Sequence, residues 1–163
     1  MTAKITGWSA TLAFGCLLFG ADNAFVGTWK MNVAKSSAIQ FDNGKLVKKG
    51  ELKDPVLTVT VEGDTITVRG HATTGGQSAS MAFTMPAAGG HLSYTEGAPP
   101  AGIADTMKTI DDRTEEIIST MNGKVVLNTR VAVSANHKTM TLTESGVDET
   151  GKPFKAVAVY DRQ

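Results

Sequence analysis

Glu115-Glu116-Ile117-Ile118-Ser119-Thr120-Met121-Asn122-Gly123-Lys124-Val125-Val126-Leu127-Asn128-Thr129-Arg130-Val131-Ala132-Val133 spells out a complete β-hairpin. Asparagine and glycine both tolerate positive φ, so the two-residue Asn122-Gly123 loop predicts a type I′ turn, whose twist suits two antiparallel strands. The same grammar continues on either side. Strands are expected at Asp105 to Ile110, Thr114 to Met121, Lys124 to Ser134 and Thr139 to Glu144. A final one, Phe154 to Tyr160, follows the turn Asp148-Glu149-Thr150-Gly151-Lys152-Pro153. Both faces of this last strand are apolar, as expected of a closing strand covered on each side rather than an exposed edge.

The N-terminal half repeats the pattern less regularly. Phe25 to Asn32 reads as the first strand, with Trp29 supplying a large apolar area to bury. Residues 33 to 54 read as a loop with room for a short helix. In Val56 to Val61, the alternation of side chains puts Leu57, Val59 and Val61 on one face. After Glu62-Gly63-Asp64, the strand Thr65 to His71 turns Ile66 and Val68 inward and Thr67 and Arg69 outward. Met81, Phe83 and Met85 share a face of the next strand, Ser78 to Met85. Glycine and proline then recur from Ala87 to Gly102, predicting a long loop with one short strand at Leu92 to Thr95, a candidate lid at a barrel mouth. About eight to ten strands joined by short hairpins favour an all-β, antiparallel up-and-down barrel over a sandwich.

Composition narrows the partners. Among 163 residues, sixteen basic side chains balance sixteen acidic ones. No basic excess is available to release counterions from a nucleic acid, so nucleic acid is not an expected partner. Residues 1–21 have a lysine at position 4, an apolar run and small residues before Asp22, the layout of a signal peptide. Cleavage is expected after Gly20 or Ala21, leaving a single domain over residues 22–163 in the periplasm or secreted, with no membrane span after processing. A buried first helix or a single membrane anchor is the alternative reading. Cys16 is the only cysteine and lies inside this segment, so the mature chain has no disulfide. Lipidation at Cys16 is a minor alternative, because Leu17-Leu18-Phe19 continues the apolar run where a polar tether would be needed.

Motifs for chemistry are sparse. His71, His91 and His137 fall in separate strand ends or turns without zinc spacing, and neither a metal nor a cofactor is expected. No Gly-x-Ser-x-Gly elbow is present. Asp111-Asp112 and Glu115-Glu116 are adjacent carboxylates, but neighbours on a strand point to opposite faces, and a turn and a solvated strand account for them. An enzyme is therefore less expected than a binding protein. Six methionines, Met31, Met81, Met85, Met107, Met121 and Met140, supply soft apolar volume, with core filling favoured over cavity lining. Should the barrel be hollow, a ligand would contact Ile66, Val68, Met81, Phe83 and Leu127, with Tyr94 as a polar handle near the mouth.

Gly27-Thr28-Trp29 resembles the Gly-x-Trp signature of lipocalins and related small-ligand barrels. Four stretches together resemble a family of uncharacterised secreted bacterial proteins with a lipocalin-like fold. They are Phe25 to Ser36, Ile110-Asp111-Asp112-Arg113-Thr114, Gly151-Lys152-Pro153-Phe154 and Val157-Ala158-Val159-Tyr160-Asp161-Arg162-Gln163. The resemblance implies a fold and an exported location, without an activity. It also implies a structural barrel floor of Gly27, Trp29 and Arg162, the arginine stacking on the indole; Arg130 is the other contender. The expectation is an exported lipocalin-like barrel binding a small apolar or amphipathic molecule. A packed structural or interaction barrel of the envelope is the alternative, with an enzyme at the barrel mouth behind both. The sequence does not fix the oligomeric state.

Overall fold

The computed structural model describes residues 23–40, 46–48, 52–74, 76–148 and 151–163. Residues 1–21, which the sequence suggests are a signal peptide, lie outside them. Among the described residues there are thirteen strands. The first six are β1 (Gly27–Met31), β2 (Ala38–Gln40), β3 (Leu46–Lys48), β4 (Leu52–Glu62), β5 (Thr65–Thr74) and β6 (Gln77–Pro86). Then follow β7 (Gly90–His91), β8 (Ser93–Glu96), β9 (Ile103–Asp111), β10 (Thr114–Met121), β11 (Lys124–Val133), β12 (Thr139–Val147) and β13 (Pro153–Arg162). Among the described residues no helix is long and apolar enough to cross a membrane.

Asn122 and Gly123 have φ of 51° and 77°, the double positive φ of a type I′ turn. Met121 pairs with Lys124 across it. Farther along, the register slips between Ser119 and Thr120, so Val126 is an extra residue on β11, a bulge that sharpens the local twist. The meander β9 to β13 is antiparallel throughout, and β4 to β6 form a second antiparallel run.

Two seams join these runs into an 11-stranded, nearly closed barrel. At the first, Trp29 in β1 pairs with Leu57 of β4 on one side and Arg162 of β13 on the other, so first and last strands are neighbours. At the second, one short stretch changes partner midway. Gly90 and His91 pair with Met107 and Thr106 of β9, and the Leu92 amide donates to the Asp105 carbonyl at 3.0 Å. Two to five residues beyond His91, Ser93, Tyr94 and Glu96 pair with Thr84, Phe83 and Ala82 of β6. The loop expected at 87–102 therefore contributes two strands to the wall. Short strands β2 and β3 form a separate two-stranded ribbon in what the sequence suggests is loop.

Inward residues alternate as the pleat demands. Leu57 and Val59 of β4, Ile66 and Val68 of β5, and Phe83 and Met85 of β6 are buried, as are Met107, Val131, Val133, Met140, Ala158 and Tyr160 from the meander. Turns fall alternately at the two ends. One end gathers the Gly63-Asp64, Asp112-Arg113 and Ala135–Lys138 turns around Trp29. This is tied by the Ala87 amide to the Asp64 carbonyl and the Val133 amide to the Arg113 carbonyl, both 2.8 Å. The other end gathers Gly97 to Pro100, Met121, Val147, Asp148 and Gly151.

Candidate functional site

Trp29 is fully buried, and its Nε1 donates to the Phe25 carbonyl at 2.8 Å. Over its ring lies the guanidinium of Arg162, 4.2 Å from the centroid, a cation–π contact. Arg162 also donates to three backbone carbonyls at 2.6 Å each: Nη1 to Val26, Nη2 to Ala24 and Nε to His137. These join the N-terminal approach to β1 with the β11–β12 turn. Gly27 has φ of +139°, and a Cβ there would sit 2.8 Å from Arg162 Nη1. The glycine of Gly-Thr-Trp thus leaves room for the arginine that caps the indole. Arg130 is exposed on the outer side of β11.

Above this floor the barrel is hollow. A cavity of about 660 Å³ runs from Phe25, Val131, Met140 and Tyr160 at the Trp29 end towards Gly97, Ala98, Pro99, Pro100, Met121 and Val147 at the other. Met31, Met85, Met107 and Met140 are buried in the core, and Met81, Met85, Met121 and Met140 line the cavity, so Met85 and Met140 do both. Ile66, Val68, Met81, Phe83, Tyr94 and Leu127 all line this one cavity. Phe83 and Tyr94 meet ring to ring, with centroids 5.4 Å apart and planes tilted by 53°. Met121, Val125 and Val147, exposed to 40%, 64% and 41%, give the open end an apolar rim.

The lining has two characters. From β4, β5 and β6 it receives Leu57, Val59, Ile66, Val68, Ala79, Met81, Phe83 and Met85, with the Ser80 hydroxyl, which donates to Glu96, as the one polar side chain among them. From β9 to β12 it receives Asp105, Glu115, Ser119, Thr129 and Glu144 among Ile117, Leu127, Val131 and Leu142. All five polar residues are buried. Among the described residues that line the cavity none is a lysine, arginine or histidine.

Reading Glu115-Glu116 as a solvated strand is therefore wrong for one member. Period two does separate them: Glu116 faces outward and accepts from Asn128 Nδ2 at 2.8 Å, while Glu115 faces the cavity. Removed from water, the charged form of Glu115 is disfavoured, and burial pushes its carboxyl up to about 7. Tyr94 donates its hydroxyl to Asp105 Oδ2 at 2.5 Å. Burial first, then the hydrogen bond and charge of Asp105, hold the Tyr94 hydroxyl far above the ordinary tyrosine range. Burial, followed by the Glu144 charge, does the same for Tyr160. Both phenols therefore remain protonated donors. The other oxygen of Asp105, Oδ1, is buried and has no hydrogen-bond partner. Across the ladder from Asp105 stands Ser119.

His71, His91 and His137 are exposed, and His91 Nδ1 lies 3.3 Å from Thr106 Oγ1. Among the described residues no group of three or more histidine, cysteine or carboxylate side chains could hold a metal ion.

No protein-family model and no curated protein sequence matches the chain significantly. Solved structures do. One is a fatty acid binding protein of Schistosoma mansoni in complex with arachidonic acid, with a TM-score of 0.54 at 16% sequence identity. The match covers 88% of this chain and 99% of that one. At such identity the likeness speaks for the fold, which is a lipocalin-like β-barrel.

Proposed function

We propose that the protein is an exported carrier that encloses a small amphipathic molecule with a predominantly apolar body. The cavity is the observation that carries this reading. Its volume of about 660 Å³ falls within the roughly 300–1,000 Å³ of small-molecule pockets. The wall from β4, β5 and β6 is apolar except for Ser80, and Met121, Val125 and Val147 make the rim at the open end apolar too. The Schistosoma protein of the same fold is in complex with arachidonic acid, which supports a ligand of that general shape here. Export rests on the layout of residues 1–21 and on the resemblance to secreted lipocalin-like proteins. A fully packed envelope barrel, the competing reading, leaves a void of this size unexplained.

The test uses the chain from residue 22 onward and the neutral dye N-phenyl-1-naphthylamine, which brightens in apolar surroundings. The dye is expected to bind, to be displaced by dodecanol, and to be shut out by Leu127→Trp, which fills the cavity from β11. Dye binding that Leu127→Trp leaves untouched would locate the apolar site outside the barrel and end the carrier reading.

A further inference from the structure

Resting on the carrier reading, we propose that the ligand carries a protonated amine, seated against Asp105, Tyr94 and Ser119, with its apolar chain lying along β4 to β6. Asp105 is only 7% exposed. Its side chain is among those lining the cavity; Tyr94 occupies Oδ2, whereas Oδ1 is buried and has no hydrogen-bond partner. A buried carboxylate oxygen in this position calls for a hydrogen-bond donor, most strongly a charged one. An ammonium offers three donors. Asp105 Oδ1, the Tyr94 oxygen, whose own proton is committed to Asp105, and the Ser119 hydroxyl oxygen directly across the ladder supply three acceptors.

The surroundings favour the same sign of charge. Glu115 and Glu144 line the same wall as Asp105, and among the described residues that line the cavity none is a lysine, arginine or histidine. In a water-poor cavity the field of such a wall attracts a cation and opposes a second carboxylate. An ionised fatty acid would bring its charge to a lining that offers it no cation, and would find the Tyr94 hydroxyl already engaged. The placement of the head is also set. Asp105 is two residues from Ile103, which pairs with Met121 at the rim, so the head lies near the mouth and the chain points towards Trp29. Opposite Asp105, Tyr94 packs on Phe83, which begins the apolar wall.

Calorimetric titration at about pH 8 with dodecylamine, dodecanol and dodecanoate, each below its micelle concentration, separates head from chain: the amine is then protonated and the acid ionised. Dodecylamine is expected to bind about tenfold or more tightly than either of the others. Asp105→Asn should reduce that advantage over dodecanol to about threefold or less. Tyr94→Phe, which keeps the ring against Phe83, should weaken only the amine, by several-fold. Dodecanoate or dodecanol binding as tightly as the amine overturns the proposal and leaves the carrier reading intact. So does an amine preference that survives both substitutions. If none of the three binds, the carrier reading falls and this proposal with it.

Discussion

The wall made by β4, β5 and β6 and the wall made by β9 to β12 have the same pleat, the same antiparallel pairing and the same cavity to face, yet their inner residues differ in kind. Leu57, Val59, Ile66, Val68, Phe83 and Met85 present hydrocarbon, thioether and ring alone; Asp105, Glu115, Ser119, Thr129 and Glu144 interrupt the other side with buried oxygen. A barrel that only needed to be stable would avoid the second wall, because each buried carboxylate gives up hydration that the interior replaces poorly. On the proposed carrier reading, the difference teaches that the two sides divide the work: one would accommodate the body of a ligand without regard to its orientation, and the other would fix which way round it lies.

Substitutions that exchange the character of the walls should have the largest effects. Ile66→Asp puts a carboxylate on the apolar side, at a position 2% exposed. It should cost about 4 kcal/mol at neutral pH, since desolvation shifts a buried carboxyl by several pKa units, and urea unfolding would measure it. A loss under 1 kcal/mol would mean that the apolar wall is wet.

The polar side makes a prediction of the opposite sign. Its folded-state value near 7, against 4.5 for an ordinary glutamate, means that Glu115 keeps its proton longer in the native protein than in the unfolded chain. Its contribution is complete below about pH 4.5 and is lost as pH rises through about 7. By linkage the loss is about 3 kcal/mol. Denaturation followed from pH 4.5 to 8.5 should show this decline, and Glu115→Gln should remove it, leaving the variant more stable than the parent at high pH.

A smaller effect is expected where the walls are tied together. Arg162→Ala breaks three hydrogen bonds to carbonyls and uncovers Trp29, costing about 2 kcal/mol. Its signature is faster amide exchange around Trp29 with the cavity walls unaffected. Smallest of all, Phe83→Leu removes the ring contact with Tyr94 and should cost about 1 kcal/mol. If the two walls are joined through that pair, it should also weaken dodecanol binding.

The asymmetry between the walls also governs what the sequence discloses. In β5, Ile66 and Val68 alternate with Thr67 and Arg69, so the inner face is unambiguous. In β10 the parities compete. Glu115, Ile117, Ser119 and Met121 share one face, and Glu116, Ile118 and Thr120 the other, with an isoleucine on each. Period two alone cannot say which glutamate is buried there; the neighbours across the ladder decide it, and they are known only once register is set. Asp105 is obscured in the same way, because Ile110 on the opposite parity is 43% exposed. The Asn122-Gly123 turn was legible because its chemistry is local. The void was not, since interior volume follows from strand number and tilt, and the short strands β2, β3, β7 and β8 are too brief to show a period.

The stretch from Gly90 to Glu96, which takes β9 as its partner for two residues and β6 for the remainder, works as a stitch between two borders that otherwise have no neighbour. Each of those borders is a row of amide and carbonyl groups capable of recruiting a foreign strand. Cutting the stitch would bare both at once, on opposite lips of the same slit. A chain damaged there is exposed to polymerisation through two faces, even if every other hairpin survives intact.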